Sequence, residues 1–207
     1  MTDKPENPRK RYLKAGVTLA AVTMVCLTLI FTVSSFTANV IAAGKIKARN
    51  AKYAKLFDPA LYDNDPEAEC RLVPGPGNND MEVMVVRKGE SPVGYIVNYS
   101  VAGGYSTPFA MLAGVTSEGK ITYADITVFN ETPGLGDKVL RSKGRFLDTL
   151  SGTSLSTHSF NVKKDGGDFD YFTGATVTPR AVVRSTGKML EQLRDLRLEG
   201  YPACGSK

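Results

Sequence analysis

Three threonines, Thr173, Thr176 and Thr178, surround Gly174 and Ala175 in residues 168–179, which read Asp-Phe-Asp-Tyr-Phe-Thr-Gly-Ala-Thr-Val-Thr-Pro. Hydroxyls beside two small residues suit a bulky group that must come close to the backbone. Thr178 followed by Pro179 reads as a helix N-cap with proline at the first helical position. Residues 181–196 then keep helical apolar spacing. Thr176 should therefore sit just ahead of a helix N-terminus, where free N–H groups and the helix dipole favour a phosphate. The plainer reading is a capping loop with surface threonines. Lys163 and Lys164, just upstream, read as a solvated turn or as cations for that phosphate.

A second stretch has the composition of a close-contact loop. Residues 131–138 read Glu-Thr-Pro-Gly-Leu-Gly-Asp-Lys. Pro133 stiffens it, Gly134 and Gly136 allow close approach, and Leu135 can lie on a flat ring. Thr132 offers a hydroxyl and Glu131 a carboxylate that could accept from a ring N–H or orient a backbone group. A Gly/Pro turn between a strand and a helix is the alternative.

Residues 170–176 match the Asp-x-x-Ser/Thr-Gly-Ala-Thr signature of FMN-binding domains that carry their flavin covalently, and the chain resembles that family. In it the last threonine, here Thr176, is joined to the FMN phosphate by a phosphoester. With 131–138, 162–170 and the run Thr-Gly-Ala-Thr-Val-Thr-Pro-Arg, the chain is similar to the family of G subunits of Rnf (also Rsx) ion-translocating electron-transport complexes. The C subunits of sodium-translocating NADH:quinone reductases share the domain and linkage and form the nearest alternative. The resemblance implies FMN on Thr176. Thr173, Gly174, Ala175 and Thr178 would stand around the attachment, Glu131, Thr132 and Leu135 at the ring, and Lys163 at the phosphate. Members of the family often have a histidine before the glutamate; here it is Asn130, which removes a proton donor but not the binding loop.

Composition narrows the alternatives. The net charge is +5, of which residues 1–44 supply +3 through five Lys/Arg and two Asp/Glu. The rest is a mixed surface without a basic stripe, so no nucleic-acid partner is expected. One histidine, His158, and cysteines at 26, 70 and 204 do not provide a zinc cluster, and no metal site is expected. A Ser-His-Asp hydrolase would depend on His158, in a polar run that reads as a loop. There is no Walker A sequence, and Gly134-x-Gly136 is too short for a dinucleotide fingerprint.

The elements that must position these residues follow. Residues 1–14 form a basic tail and 15–43 a transmembrane helix. Its apolar part, 15–36, would span roughly 33 Å against a hydrocarbon core of about 30 Å. A cleaved signal peptide is the rival, although its apolar region is usually only about 7–15 residues. Five cations precede the span, so the N-terminus is expected in the cytoplasm; Lys45, Lys47, Arg49, Lys52 and Lys55 follow it and weaken the bias, and the resemblance implies residues 45–207 outside the cytoplasmic membrane of a bacterium. Cys26 is an apolar filler in the span. Cys70 and Cys204 fall in the exported part, where a disulfide is allowed. Residues 44–80 read as stalk and linker, with a helix over 43–57 and no alternation over 58–79. From 81 onward an FMN-binding domain is expected. Strands are predicted over 81–86, 93–99, 109–115 and 121–129, and helices over 141–150 and 182–196. Strands followed by packing helices make an α+β class, an antiparallel sheet with helices on it.

The resulting expectation is an electron-carrying subunit with covalent FMN and no substrate turnover of its own. By resemblance it works between NADH and ferredoxin in an ion-translocating complex. Its partners would be the other membrane subunits, including iron–sulfur ones, and a flavin transferase that uses FAD for maturation. A flavin-free, membrane-anchored assembly scaffold is the reading from another class.

Overall fold

The computed structural model describes residues 8–105 and 108–205; Lys4 of the expected basic tail lies outside them. The chain forms two compact units, Met1–Ala51 and Lys52–Lys207. Helix α1 (Pro8–Leu56) begins in the first, and its residues from Lys52 belong to the second. Pro8 suits a first helical position, and the next proline is Pro59, so nothing interrupts the run. Segment Tyr12–Leu56 is long and apolar enough to cross a membrane. Its threonine hydroxyls turn back on the preceding turn: Thr23 donates to the Leu19 carbonyl at 2.8 Å and Thr28 to that of Met24 at 2.7 Å. Each of these polar side chains is thus satisfied without water.

The second unit is built on a five-stranded antiparallel sheet whose strands lie side by side in chain order. They are β1 (Cys70–Pro74), β2 (Asp80–Lys88), β3 (Ser91–Val101), β4 (Phe109–Thr116) and β5 (Ile121–Val128). The expected hairpins are present, and the first is tighter than expected. Lys88 pairs with Ser91, leaving a two-residue turn in which Gly89 takes φ +60°.

β1 lies in the stretch expected to be linker. A short strand ending in proline has little pattern of its own. Here the C-terminal tail holds it: Cys70 and Cys204 form a disulfide, and the Leu72 N–H donates to the Pro202 carbonyl at 2.9 Å.

Side-chain alternation gives the sheet two different faces. On one, Val83, Val97, Tyr99, Met111 and Val115 pack against helix α2 (Val177–Arg194) through Val182, Val183, Met189 and Leu190. Tyr99 is fully buried and its hydroxyl lies 2.8 Å from that of Thr186. Thr186 gives its own proton to the Val182 carbonyl, so Tyr99 is the donor. Burial pushes the Tyr99 phenol up despite that bond.

Residues 141–150, expected as a helix, form only a 3-10 turn over Phe146–Leu150. Phe146, Leu147 and Leu150 are nevertheless buried, because their spacing fits a three-residue turn as well as an α-helix. On the opposite face Tyr53, Leu56 and Phe57 cover Met84, Val86, Ile96 and Leu112.

Candidate functional site

The threonine segment is anchored from below. Phe172 is half-buried and its ring lies 5.7 Å from that of Phe146. The chain then turns: the Ala175 N–H donates to the Phe172 carbonyl at 2.9 Å, and Gly174 takes φ +78°. That left-handed conformation favours glycine, and among the described residues, chain neighbours aside, no atom stands within 4 Å of where a Gly174 Cβ would be. Ala175 is completely buried, so a larger side chain there would displace the core. Thr173 remains exposed on the turn.

The helix cap differs from the expectation. Thr176, not Thr178, is the N-cap of α2, and its carbonyl accepts the Arg180 N–H at 3.1 Å. Thr178 is inside the first turn, fully buried, and its hydroxyl donates to Glu131 Oε2 at 3.3 Å. Proline fits both arrangements, because no first-turn N–H has a partner within its helix. Since Pro179 lacks an N–H, the free donors of this turn are those of Val177 and Thr178. The Thr176 side chain makes no capping bond. Among the described residues its hydroxyl donates only to the Phe172 carbonyl, at 3.3 Å, and the residue is half-buried.

Glu131 joins the two sequence motifs. Its side chain is 6% exposed, and besides the Thr178 hydroxyl its Oε2 accepts the Tyr105 N–H at 3.0 Å. Two glycines make room for it. A Cβ on Gly104 would stand 2.1 Å from Glu131 Oε1, and one on Gly136 would stand 2.7 Å from the Glu131 Cβ. The strand β3 exit, the 131–138 loop and the first turn of α2 therefore meet at one carboxylate. The loop closes on itself: the Thr132 carbonyl accepts the Gly136 N–H at 3.1 Å, and Gly134, at φ +83°, donates its N–H to Asp137 Oδ1 at 2.8 Å. Thr132 is exposed, and Leu135 is 40% exposed although large and apolar.

Lys163 is exposed and its ammonium donates to Asp170 Oδ1 at 2.6 Å. That bond raises the lysine above its ordinary range. The sequence reading named Lys163 and Asp170 but not their pairing. It also passed over Gly104 with Tyr105, and over Asp165, Arg180 and Arg184. The adjacent glycines 103 and 104 and the helical spacing of the two arginines were the available signals. Arg180 holds Asp165 with two bonds, Nε to Oδ2 at 2.5 Å and Nη2 to Oδ1 at 2.9 Å. His158 is a loop residue, with Nδ1 2.8 Å from the Thr157 hydroxyl and its ring 5.9 Å from that of Phe169. Among the described residues no group of three His, Cys, Asp or Glu could hold a metal ion.

Residues 104–191, which hold strands β4 and β5, the 131–138 loop and most of α2, match the FMN-binding domain family. The chain belongs to the family of G subunits of ion-translocating oxidoreductase complexes. It is 38% identical over 165 residues to the G subunit of the ion-translocating oxidoreductase complex of Cronobacter sakazakii, covering 73% of this chain and 78% of the relative. The Salmonella typhi protein of the same name is 37% identical over 169 residues, covering 77% and 81%. That of Escherichia coli K12 is 35% identical over 161 residues, covering 72% and 78%. With the apolar α1 segment, these likenesses describe a membrane-anchored flavoprotein.

Proposed function

We propose that this protein carries FMN covalently on Thr176 and passes electrons within a membrane-bound, ion-translocating oxidoreductase complex. The observation that carries the reading is the position of Thr176. It stands at the N-terminus of α2 with a hydroxyl that caps nothing, next to an open left-handed glycine. The residues fit the group. The Val177 and Thr178 N–H donors and the helix dipole suit a phosphate bearing about one negative charge after esterification. Lys163 would have to leave Asp170 to contact that phosphate. Among the described residues, chain neighbours aside, no atom lies within 4 Å of a Gly134 Cβ position, which leaves space for a flat ring beside Leu135. Glu131 and Thr178 hold the ring-side loop and the phosphate-side helix together. When bound, FMN supplies one- and two-electron redox chemistry.

Maturation needs a separate flavin transferase acting on FAD. The Thr176 Oγ1–phosphorus bond forms as the pyrophosphate bond of FAD breaks. AMP leaves, the hydroxyl proton passes to a base of the transferase, and no electron changes hands. A covalent tether prevents loss of the cofactor outside the cytoplasm and fixes its distance from neighbouring redox centres. The Cys70–Cys204 disulfide supports that location, since such bonds persist in oxidising compartments. The partners are the other subunits of the complex, and by family resemblance electrons move between NADH and ferredoxin.

The test is co-expression with a flavin transferase, followed by intact mass and flavin fluorescence on a denaturing gel. The parent chain should gain the mass of one FMN less water and fluoresce. Thr176→Ala should abolish both, and Thr176→Ser should keep part of each. A parent chain of bare polypeptide mass would overturn the covalent link, and one that also binds no FMN in its native state would leave only the scaffold reading. Lys163→Ala should keep the link and shift the flavin spectrum or midpoint potential; unchanged values would remove Lys163 from the site.

A further inference from the structure

Upstream of the signature the chain makes a short turn, Lys163–Asp165, closed by Gly166 at φ +82°. The turn is fixed to the core at its base, where Val162 and Phe169 are buried and the Lys163 N–H donates to the Phe169 carbonyl at 2.7 Å. Its side chains reach in two directions. Lys163 holds Asp170, the first residue of the signature. Asp165 reaches α2, where it takes both bonds from Arg180 and a third from Arg184 Nη2 at 3.1 Å. Arg184 Nε also donates to Asn161 Oδ1 at 3.1 Å. Thr176, Arg180 and Arg184 are four residues apart and so share one stripe of the helix. The attachment hydroxyl thus lies between two tethered points, Asp170 before it and Arg180 after it.

The Lys163–Asp170 pair is open, with side chains 58% and 67% exposed, and Arg184 is 50% exposed. The Arg180 and Asp165 side chains are more covered, at 29% and 21%. They still stand at the surface, where an ion pair adds modest stability. Their geometry is nonetheless specific, because a planar guanidinium fits a carboxylate with two bonds in one orientation.

We infer that Asp165 and Arg180 are positioning residues for flavin loading: their ion pair straps the entrance of the signature to α2 and presents the Thr176 hydroxyl in one place. The inference rests on the covalent-FMN reading above. Neither residue need touch the flavin. Misplacing a reacting atom by a fraction of its bond distance is enough to slow group transfer, while leaving the protein folded.

The experiment uses the full chain, purified without flavin, with purified flavin transferase and FAD; the initial rate of fluorescence gain is measured. Asp165→Lys and Arg180→Asp should each slow loading by about tenfold, with the thermal midpoint nearly unchanged. Combining them should restore the rate to within about threefold of the parent. The carboxylate introduced at 180 then has the new cation at 165 and Arg184, one turn further on, as partners. Single variants that load at the parent rate would overturn the strap alone. So would a double variant no faster than Arg180→Asp, which would make Arg180 a direct contact of the phosphate or the transferase. A parent chain that takes no flavin would overturn both the strap and the function it serves.

Discussion

The two faces of the sheet are covered by different means. The α2 face is wide and packed by volume. Leu147, Leu150, Met189 and Val182 are among side chains with essentially no exposure, and they lie in one cluster with Tyr99 and Phe109. The other face is narrow. Tyr53, Leu56 and Phe57 sit on it where two glycines leave room: a Cβ on Gly94 would stand 2.7 Å from the Phe57 ring, and one on Gly114 would stand 3.0 Å from the Leu56 carbonyl. The Thr122 hydroxyl donates to that carbonyl at 2.5 Å, and the Cys70–Cys204 disulfide closes the same cluster. The wide face carries the helix whose N-terminus bears the candidate site. The narrow face is covered by the last turn of α1, within the second unit, and by Phe57. Packing supports the chemistry, and individual bonds support the attachment.

The largest stability effect should fall on the wide face. Leu147→Ala removes a side chain with no exposure and leaves a cavity among residues that cannot all collapse, at a cost of about 2–5 kcal/mol. Chemical denaturation of the second unit reads this directly. A loss below the cost of one methylene would mean the cluster is loosely packed, and the contrast between the faces would disappear.

The narrow face should respond to redox conditions instead. Cys204→Ser opens a bridge between residues 134 apart in sequence and should cost about 2–4 kcal/mol. Reductant should lower the thermal midpoint of the parent chain and leave that of the variant unchanged. A parent insensitive to reductant would show that backbone bonds from Leu72 and Cys204 hold the tail without the bridge. A smaller effect is expected at the glycine seat. In Gly94→Ala the new methyl meets the Val115 carbonyl at 2.4 Å as well as the Phe57 ring, and backbone cannot yield as a side-chain tip can. About 1–3 kcal/mol should be lost. Phe57→Ala should recover little of it, because the carbonyl contact remains.

What the sequence made legible follows from how far apart the interacting residues are. Thr176 and the 131–138 loop were singled out because their motifs resemble those of a known family; residue types alone left a capping loop and a Gly/Pro turn as readings. The hairpins of β2 with β3 and β4 with β5 were found because alternation and turn residues act over a few positions. β1 was missed because its partner beyond β2 is the tail, and nothing near Cys70 reports on Pro202. The cap was placed two residues late because Thr176 and Thr178 are equally good capping residues. Only Glu131, 47 positions away, removes Thr178 from that role. The 3-10 turn at Phe146 was taken for an α-helix because three buried residues within five do not separate a period of 3.0 from one of 3.6. The Asp165 strap lay in plain view but needs the loop to fold back on α2.

That strap belongs to neither face, which gives the smallest and most selective effect. The hydrogen bonds from Arg180 hold the Asp165 carboxyl below the usual carboxylate range. A carboxyl whose folded value is depressed stabilises the protein above its unfolded value and loses that contribution as pH falls through the folded one. The difference in stability between the parent and Asp165→Asn should therefore be small and constant from neutral pH down to about pH 4, the ordinary aspartate range. It should shrink only below that, as the proton displaces Arg180. Asp148 titrates in the same direction, held low by Arg141 and Arg145, so the parent curve alone would not separate the two. The difference between parent and variant does, since Asp148 is present in both. A difference that stayed flat through the acid range would mean that Asp165 and Arg180 are not paired in solution. Thr176 would then be presented by the Phe172 and Gly174 turn alone.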